Sequence, residues 1–280
     1  MVNILVPTDF SELSMVAVQY ATKIANKLNG TLTLLHVVNT RSKVKASLKR
    51  SENSMEREMI LVAQAKMDAL VEKTSKFVKN KQPIRYKVAA GISFVDTVGK
   101  EAKRLHIGLI VIGTKGAGGL KKVVMGSNTT SIIEISHVPV LAVPAEATFK
   151  NFSNILYATD GKNVEKELKT LIPYVERFGA TLHLLHILSR GKDVDQAEMS
   201  INAVVDKLAY KNIVVLVTVS QSIDSAIDQY IDLTSADLLA MFTHELTFYE
   251  KLFDRSYTRR MAFQSKIPLL AFKDKKRSRS

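Results

Sequence analysis

Gly113-Thr114-Lys115-Gly116 is followed, nine residues on, by Gly126-Ser127-Asn128-Thr129. Glycine lets a backbone approach a ligand closely and reach φ > 0 without a Cβ clash. A Ser-Asn-Thr cluster opening a helix offers backbone amides, hydroxyls and the positive end of the helix dipole. Lys115, Lys121 and Lys122 add charge that can neutralise phosphate, at least one of them being only a solvated side chain. This is the chemistry of a phosphate site. Two familiar alternatives fail on spacing: GxxxxGK[ST] is absent, and no GxGxxG follows the first apolar run.

Two further segments belong to the same chemistry. In an open α/β sheet, ligands gather at the carboxyl ends of the strands where the strand order reverses. Pro7-Thr8-Asp9 ends the first strand pattern and Val37-Val38 the second. Asp9 can accept hydrogen bonds from a ribose or an amide. It can equally cap the helix that begins near Ser11, and the two roles are compatible. His36 and His186 occupy equivalent strand positions and read as packed, hydrogen-bonded structural residues. His106, His137, His183 and His244 show no metal-ligand spacing with one another or with carboxylates. No protein-held metal is therefore expected, and Mg²⁺ would come with a nucleotide.

The elements that must position these residues alternate regularly. Apolar runs predict strands over Asn3–Pro7, Thr31–Val38, Ile84–Ala89, Ile107–Gly113 and Pro139–Val143. Amphipathic stretches between them predict helices over Ser11–Leu28, Met55–Asn80, Phe94–His106 and Ser127–Ser136. Met55, Met59 and Met67, with Ile60 and Val62, form an apolar helix face suited to a core or to a partner. Short Val-, Ile- and Leu-rich runs alternating with helices indicate a parallel sheet covered on both faces.

The pattern then repeats. Asn3-Ile-Leu-Val-Pro-Thr-Asp9 returns as Asn154-Ile-Leu-Tyr-Ala-Thr-Asp160, and Thr31-Leu-Thr-Leu-Leu-His36 as Thr181-Leu-His-Leu-Leu-His186. From Ile84, which matches Ile213, the shift stays at 129, so Val138-Pro139 faces Ile267-Pro268. The shift falls from 150 to 129 between the second and third strands, which places a longer crossover in the first copy, within Thr40 to Pro83. The second copy predicts strands Asn154–Ala158, Thr181–Leu188, Ile213–Val219, Leu238–Thr243 and Leu269–Phe272. Helices run up to Phe178, over Val194–Tyr210 and Asp224–Thr234, and once more before the last strand. Two tandem doubly wound α/β domains are expected, 1–146 and 152–273, with a basic tail over 274–280.

Composition agrees with this reading. The 280 residues suit two domains of ordinary size, and 46% hydrophobic with 24% charged residues is usual for a soluble globular chain. Without cysteine there are neither disulfides nor thiolate metal sites, which fits a cytoplasmic location. No run reaches the length of a membrane span, and Val2–Val6 is too short for a signal peptide. The net charge of +13 is uneven, with 22 basic and 11 acidic side chains in residues 1–150. Solvated helix faces account for most of these lysines. Nucleic-acid binding is disfavoured, because neither a recognised motif nor aromatics interleaved on a basic face are found.

The chain resembles the universal stress protein family in its tandem two-domain form. Gly113-x2-Gly116-x9-Gly126-Ser127 matches the family's nucleotide signature G-x2-G-x9-G-(S/T) in full. Pro7-Thr8-Asp9, Leu35-His36-Val37 and His137-Val138-Pro139-Val140 look like the same family, and the likeness spans 1–144 and 152–273. The resemblance implies five parallel strands per domain in the order 3-2-1-4-5, with helices on both faces. It implies ATP as ligand, with AMP or ADP as alternatives. On that basis Asp9 meets the adenosine, Val37 or Val38 meets the adenine through its backbone, and Pro7 and Thr8 shape the pocket floor. Gly113, Thr114, Lys115 and Gly116 line the ribose and phosphates, while Gly126, Ser127, Asn128 and Thr129 hold the phosphates. It further implies pairing of the two domains through their last strands. A homodimer and a protein partner are left open.

The second copy departs from the signature: Gly113 becomes Phe242, Gly116 Glu245 and Gly126 Arg255, and only Ser127 keeps its type, as Ser256. Phe242 adds bulk where backbone approach is wanted, and Glu245 would repel phosphate in a poorly solvated cleft. The expected function is a regulatory, stress-response ATP binder with one competent site in the N-terminal domain. A slow ATPase or nucleotidyl-transfer enzyme is the alternative, since transfer needs a placed base or nucleophile and the 113–129 motif supplies none.

Overall fold

Strands that are apolar on both sides can be buried only between two layers of helix. The computed structural model describes residues 2–40, 49–79, 83–114, 126–189, 191, 193–243 and 267–273. The chain divides into two compact units, the first ending at Ala145 and the second beginning at Glu146.

In the first unit the strands are β1 (Asn3–Pro7), β2 (Thr31–Asn39), β3 (Ile84–Gly91), β4 (Leu109–Gly113) and β5 (Val140–Val143). All pairings are parallel and the order is β3-β2-β1-β4-β5. Helices α1 (Glu12–Leu28) and α2 (Lys49–Ser75) pack together on one face, and α3 (Phe94–Arg104) and α4 (Ser127–Ile135) on the other. Ile4, Leu5, Val6, Leu34 and Leu35 are wholly buried between the layers. Each such side chain contributes about 1.5–3 kcal/mol.

Helix α1 shows how local sequence feeds this packing. Ser11 caps it by accepting a hydrogen bond from the Ser14 amide, and Asn29 stops it in the left-handed conformation, φ 49°. Ala17, Val18, Ala21, Ile24 and Ala25 recur at helical spacing and form its buried face.

The second unit repeats the plan with β6 (Asn154–Thr159), α5 (Val164–Phe178), β7 (Thr181–Leu188), α6 (Val194–Val205), β8 (Ile213–Val219), α7 (Ile223–Leu233), β9 (Leu238–Phe242) and β10 (Leu269–Phe272). Its strands are again parallel, in the order β8-β7-β6-β9-β10. The doubly wound α/β fold expected from the sequence is thus present in both units. The helix expected before the last strand, and the 274–280 tail, lie outside the described residues.

Several boundaries differ from expectation for physical reasons. Strand β4 begins at Leu109 rather than Ile107, because the Ile107 amide still bonds the Ala102 carbonyl as α3 closes. Helix α2 begins at Lys49 rather than Met55 and ends at Ser75 rather than Asn80. Its apolar face divides: Ala63, Met67 and Leu70 are buried, while Met55, Met59 and Val62 are exposed. Helix α6 ends at Val205, short of the expected Tyr210. Among the described residues no helix is long and apolar enough to cross a membrane.

Candidate functional site

Strands β1 and β4 are neighbours, yet β1 leads across to β2 on one side and β4 to β5 on the other. Their carboxyl ends therefore lead to opposite sides at the point where the strand order reverses, the place where open α/β sheets take ligands. Pro7 ends β1 and Thr8 and Asp9 follow it, Gly113 ends β4 and Thr114 follows it, and Val37 and Val38 lie near the end of β2.

Pro7 is the buried last residue of β1. Thr8 is 3% exposed; its amide donates to the Leu35 carbonyl (2.8 Å), and its hydroxyl pairs with Ser14 Oγ (2.9 Å) and accepts from the Phe10 amide (3.1 Å). Asp9 is exposed, and its Oδ1 accepts from both the Ser11 amide (3.0 Å) and the Ser11 hydroxyl (2.5 Å). Asp9 is therefore not the helix cap. Ser11 is the cap, and Asp9 holds Ser11. Partial burial pushes the Asp9 carboxyl up, but the hydrogen bonds from Ser11, with a contribution from Ser14, outweigh it and keep the group below the usual carboxylate value.

His36 Nδ1 lies 2.8 Å from the Thr8 carbonyl, so Nδ1 carries the proton and donates. Its ring stands 4.5 Å from the Phe10 ring, and Lys66 Nζ lies 5.6 Å from the centre of Phe10. Phe10 has φ 65°, an unusual value for a bulky residue. The structural reading of His36 holds, and its counterpart His186 makes the same bond, Nδ1 to the Thr159 carbonyl at 3.1 Å. At Phe10's position the second unit has Gly161, φ 83°, where a Cβ would fall 2.6 Å from His186. The role of Phe10 was missed in the sequence; the signal was the Phe-to-Gly exchange beside a repeated Thr-Asp pair.

Val37 and Val38 lie beyond the end of β1, since Pro7 pairs with Leu35. By the two-residue alternation of a strand, Val37 directs its amide and carbonyl to the same side as Leu35, towards the space past β1. Val38 directs its own towards β3 and is buried.

Gly113 ends β4, and its carbonyl accepts from the Thr129 hydroxyl (3.1 Å). A Cβ here would lie 2.9 Å from the Leu13 carbonyl and 3.0 Å from Leu13 Cγ. The glycine is thus demanded by the first turn of α1, a reason the sequence did not disclose. Thr114 is buried, its amide bonding the Val143 carbonyl (2.9 Å), and Thr243 repeats this on the Phe272 carbonyl (2.8 Å). Thr114 therefore performs a strand-end role common to both units. Thr129 is buried and ties α4 to β4. Gly126 precedes α4 with φ −65° and gives no side-chain cap, while Ser127 and Asn128 are exposed. Among the described residues, the first-turn amides of α4 thus have no capping side chain. Lys115, Gly116, Lys121 and Lys122 lie outside the described residues, as do Glu245, Arg255 and Ser256 of the second copy.

The equivalent place in the second unit is built differently. Phe242 stacks on Phe272 (4.8 Å) and meets Tyr157 edge-on (6.0 Å), while Phe272 touches Tyr174 of α5 (5.5 Å). The bulk of Phe242 therefore goes into packing under α5, not into the path of backbone approach as the sequence suggested. Tyr157 donates to Glu167, which also accepts from Thr159 (3.2 Å).

A family model, described as the universal stress protein family, matches residues 1–144 and again 151–273. The chain belongs to the universal stress protein family. Universal stress protein MJ0577 of Methanocaldococcus jannaschii is 30% identical over 157 residues, covering 50% of this chain and 93% of that one. A second universal stress protein of the same organism, MJ0531, is 29% identical over 142 residues, covering 50% and 81%. Among solved structures, a universal stress protein from Archaeoglobus fulgidus aligns over 97% of this chain and 98% of its own, with a TM-score of 0.72 at 19% identity. At that identity the likeness bears on the fold alone.

Proposed function

We propose that the first unit binds ATP in the crevice between the ends of β1 and β4, and that this is regulatory binding rather than turnover. The observation that carries the reading is the α4 N-terminus: a first turn that Gly126 leaves without a side-chain cap, after the end of β4 and within the full glycine signature. Uncapped amides and the helix dipole favour a phosphate there. Val37 offers a backbone donor and acceptor of the kind an adenine edge requires, and Asp9, held ionised by Ser11, can accept from a ribose hydroxyl. Mg²⁺ would arrive on the phosphates. The second unit lacks the signature and is proposed not to bind nucleotide in this way.

Gly126 allows a clean test, because φ −65° is open to any residue. A carboxylate at the start of a helix favours the helix dipole and repels phosphate. Gly126→Glu should therefore keep or raise the melting temperature and weaken ATP binding by more than about tenfold in calorimetric titration. Unchanged ATP affinity in a folded Gly126→Glu protein would contradict the site. In the same titration, hydrolysis faster than ATP release would favour the enzyme reading.

A further inference from the structure

At the opposite end of the first sheet, where β1, β2 and β3 begin, a cleft of 140 Å³ has Asn3, Thr31, Thr33, Arg85, Lys87 and Arg104 in its lining, beside Tyr86 and Leu105. Arg85 pairs across the sheet with Thr33, and Lys87 lies two residues on, so both share a sheet face with the threonines. Arg104 is the last residue of α3. A sheet face beneath a helix is ordinarily apolar. Here it is hydroxylated and cationic.

The local charges do not cancel. Glu101 is 7% exposed and binds two cations, Arg104 (2.8 Å) and Lys87 (3.4 Å). Arg85 forms no ion pair among the described residues. Three cations therefore meet one carboxylate. The negative end of α3 opposes this with about half a charge, leaving an excess of positive charge.

The repeat supplies an internal control. In the second unit Asn3 and Thr31 persist as Asn154 and Thr181, but Thr33 becomes His183, Arg85 becomes Val214, Lys87 becomes Leu216, Arg104 becomes Leu233 and Glu101 becomes Tyr230. The same fold thus forms without any of these charges, with Val214 and Leu233 exposed. Charged side chains on a strand at the edge of its unit's sheet can discourage unwanted pairing. That need is met by charges pointing into solvent, whereas Lys87 and Arg104 converge on Glu101.

We infer that this cleft is a binding site for a phosphate-type oxyanion, distinct from the nucleotide crevice. Guanidinium forks and an ammonium beside hydroxyl groups are suited to tetrahedral oxyanions. The volume is several times the ~30 Å³ share of a water molecule and far below the ~300 Å³ at which small-molecule pockets begin. It has room for one phosphate group.

The test is an amide NMR titration of the full chain with inorganic phosphate at constant ionic strength, chloride being the balancing ion. Saturable shifts are expected at Thr33, Arg85 and Arg104. Arg85→Val and Lys87→Leu, each the residue of the second unit, should bind about tenfold more weakly or worse while retaining the native spectrum. Glycerol phosphate in a parallel titration identifies the source: binding of both compounds assigns the site to a phosphate group on a larger molecule, and binding of phosphate alone to the free ion. Equal titration of wild type and Arg85→Val, shifts reproduced by chloride, or shifts confined to Ser127 and Asn128 would overturn the proposal.

Discussion

A Cβ at Gly113 would press on the Leu13 carbonyl at 2.9 Å, whereas Gly126 sits at φ −65° with no conformational need to be glycine. Substitution should separate them. Gly113→Ala is expected to destabilise the protein by about 1–3 kcal/mol, since backbone must move, measured by chemical denaturation without nucleotide. Asp9 and Ser11 act as a pair. Ser11→Ala removes the α1 cap, costing about 1 kcal/mol, and should let the Asp9 carboxyl rise towards its ordinary value in a carbon-detected NMR titration. Because the folded value is lowered, the Asp9 contribution is present above the ordinary carboxylate range and is lost as pH falls through the folded value. An Asp9 titration left unmoved by Ser11→Ala would refute this coupling. The importance of these residue types was legible in the sequence, but their duties were less so. The clash that excludes a side chain at Gly113 comes from a residue 100 positions earlier, which no local pattern reports.

Among elements, the strands were the most legible, because apolar runs of fixed length leave little freedom in a parallel sheet. Helix ends were less so. Helix α3 stops at Arg104, short of the expected His106, because His106 turns to φ 49°. Helix α7 carries Asp224, Asp228 and Asp232 four residues apart, on one face. Partial desolvation, followed by repulsion from Asp224 and Asp232, pushes the Asp228 carboxyl up. A raised folded value gives stability that is complete below the unfolded value and is lost as pH rises through the folded one. Asp228→Asn should therefore raise the melting temperature at pH 7 by about 1–2 °C and leave it unchanged near pH 3. Thermal melts at the two pH values check this, and an equal effect at both would exclude the charge explanation.

For the whole molecule, the duplication was visible because both copies retain the Thr-Asp strand end, the Leu-Leu-His strand and the pre-strand proline. It let one unit serve as the control for the other. Thr114 and His36 recur in the second unit with the same bonds, so they belong to the fold. The glycine signature does not recur: Gly113 answers to the packing of Leu13, and Gly126, which no backbone constraint requires, is the position proposed to serve the ligand. The place of the site at the strand ends was legible from the α/β alternation, whereas the tie of α4 to the end of β4 through Thr129 and Gly113 was not. The central claim is that one chain holds one adenine nucleotide. Native mass spectrometry of the full chain titrated with ATP and Mg²⁺ tests this directly. A single ATP per chain at saturation, lost in Gly126→Glu, is the predicted result. Two ATP molecules bound with equal affinity, or one that survives Gly126→Glu, would contradict it.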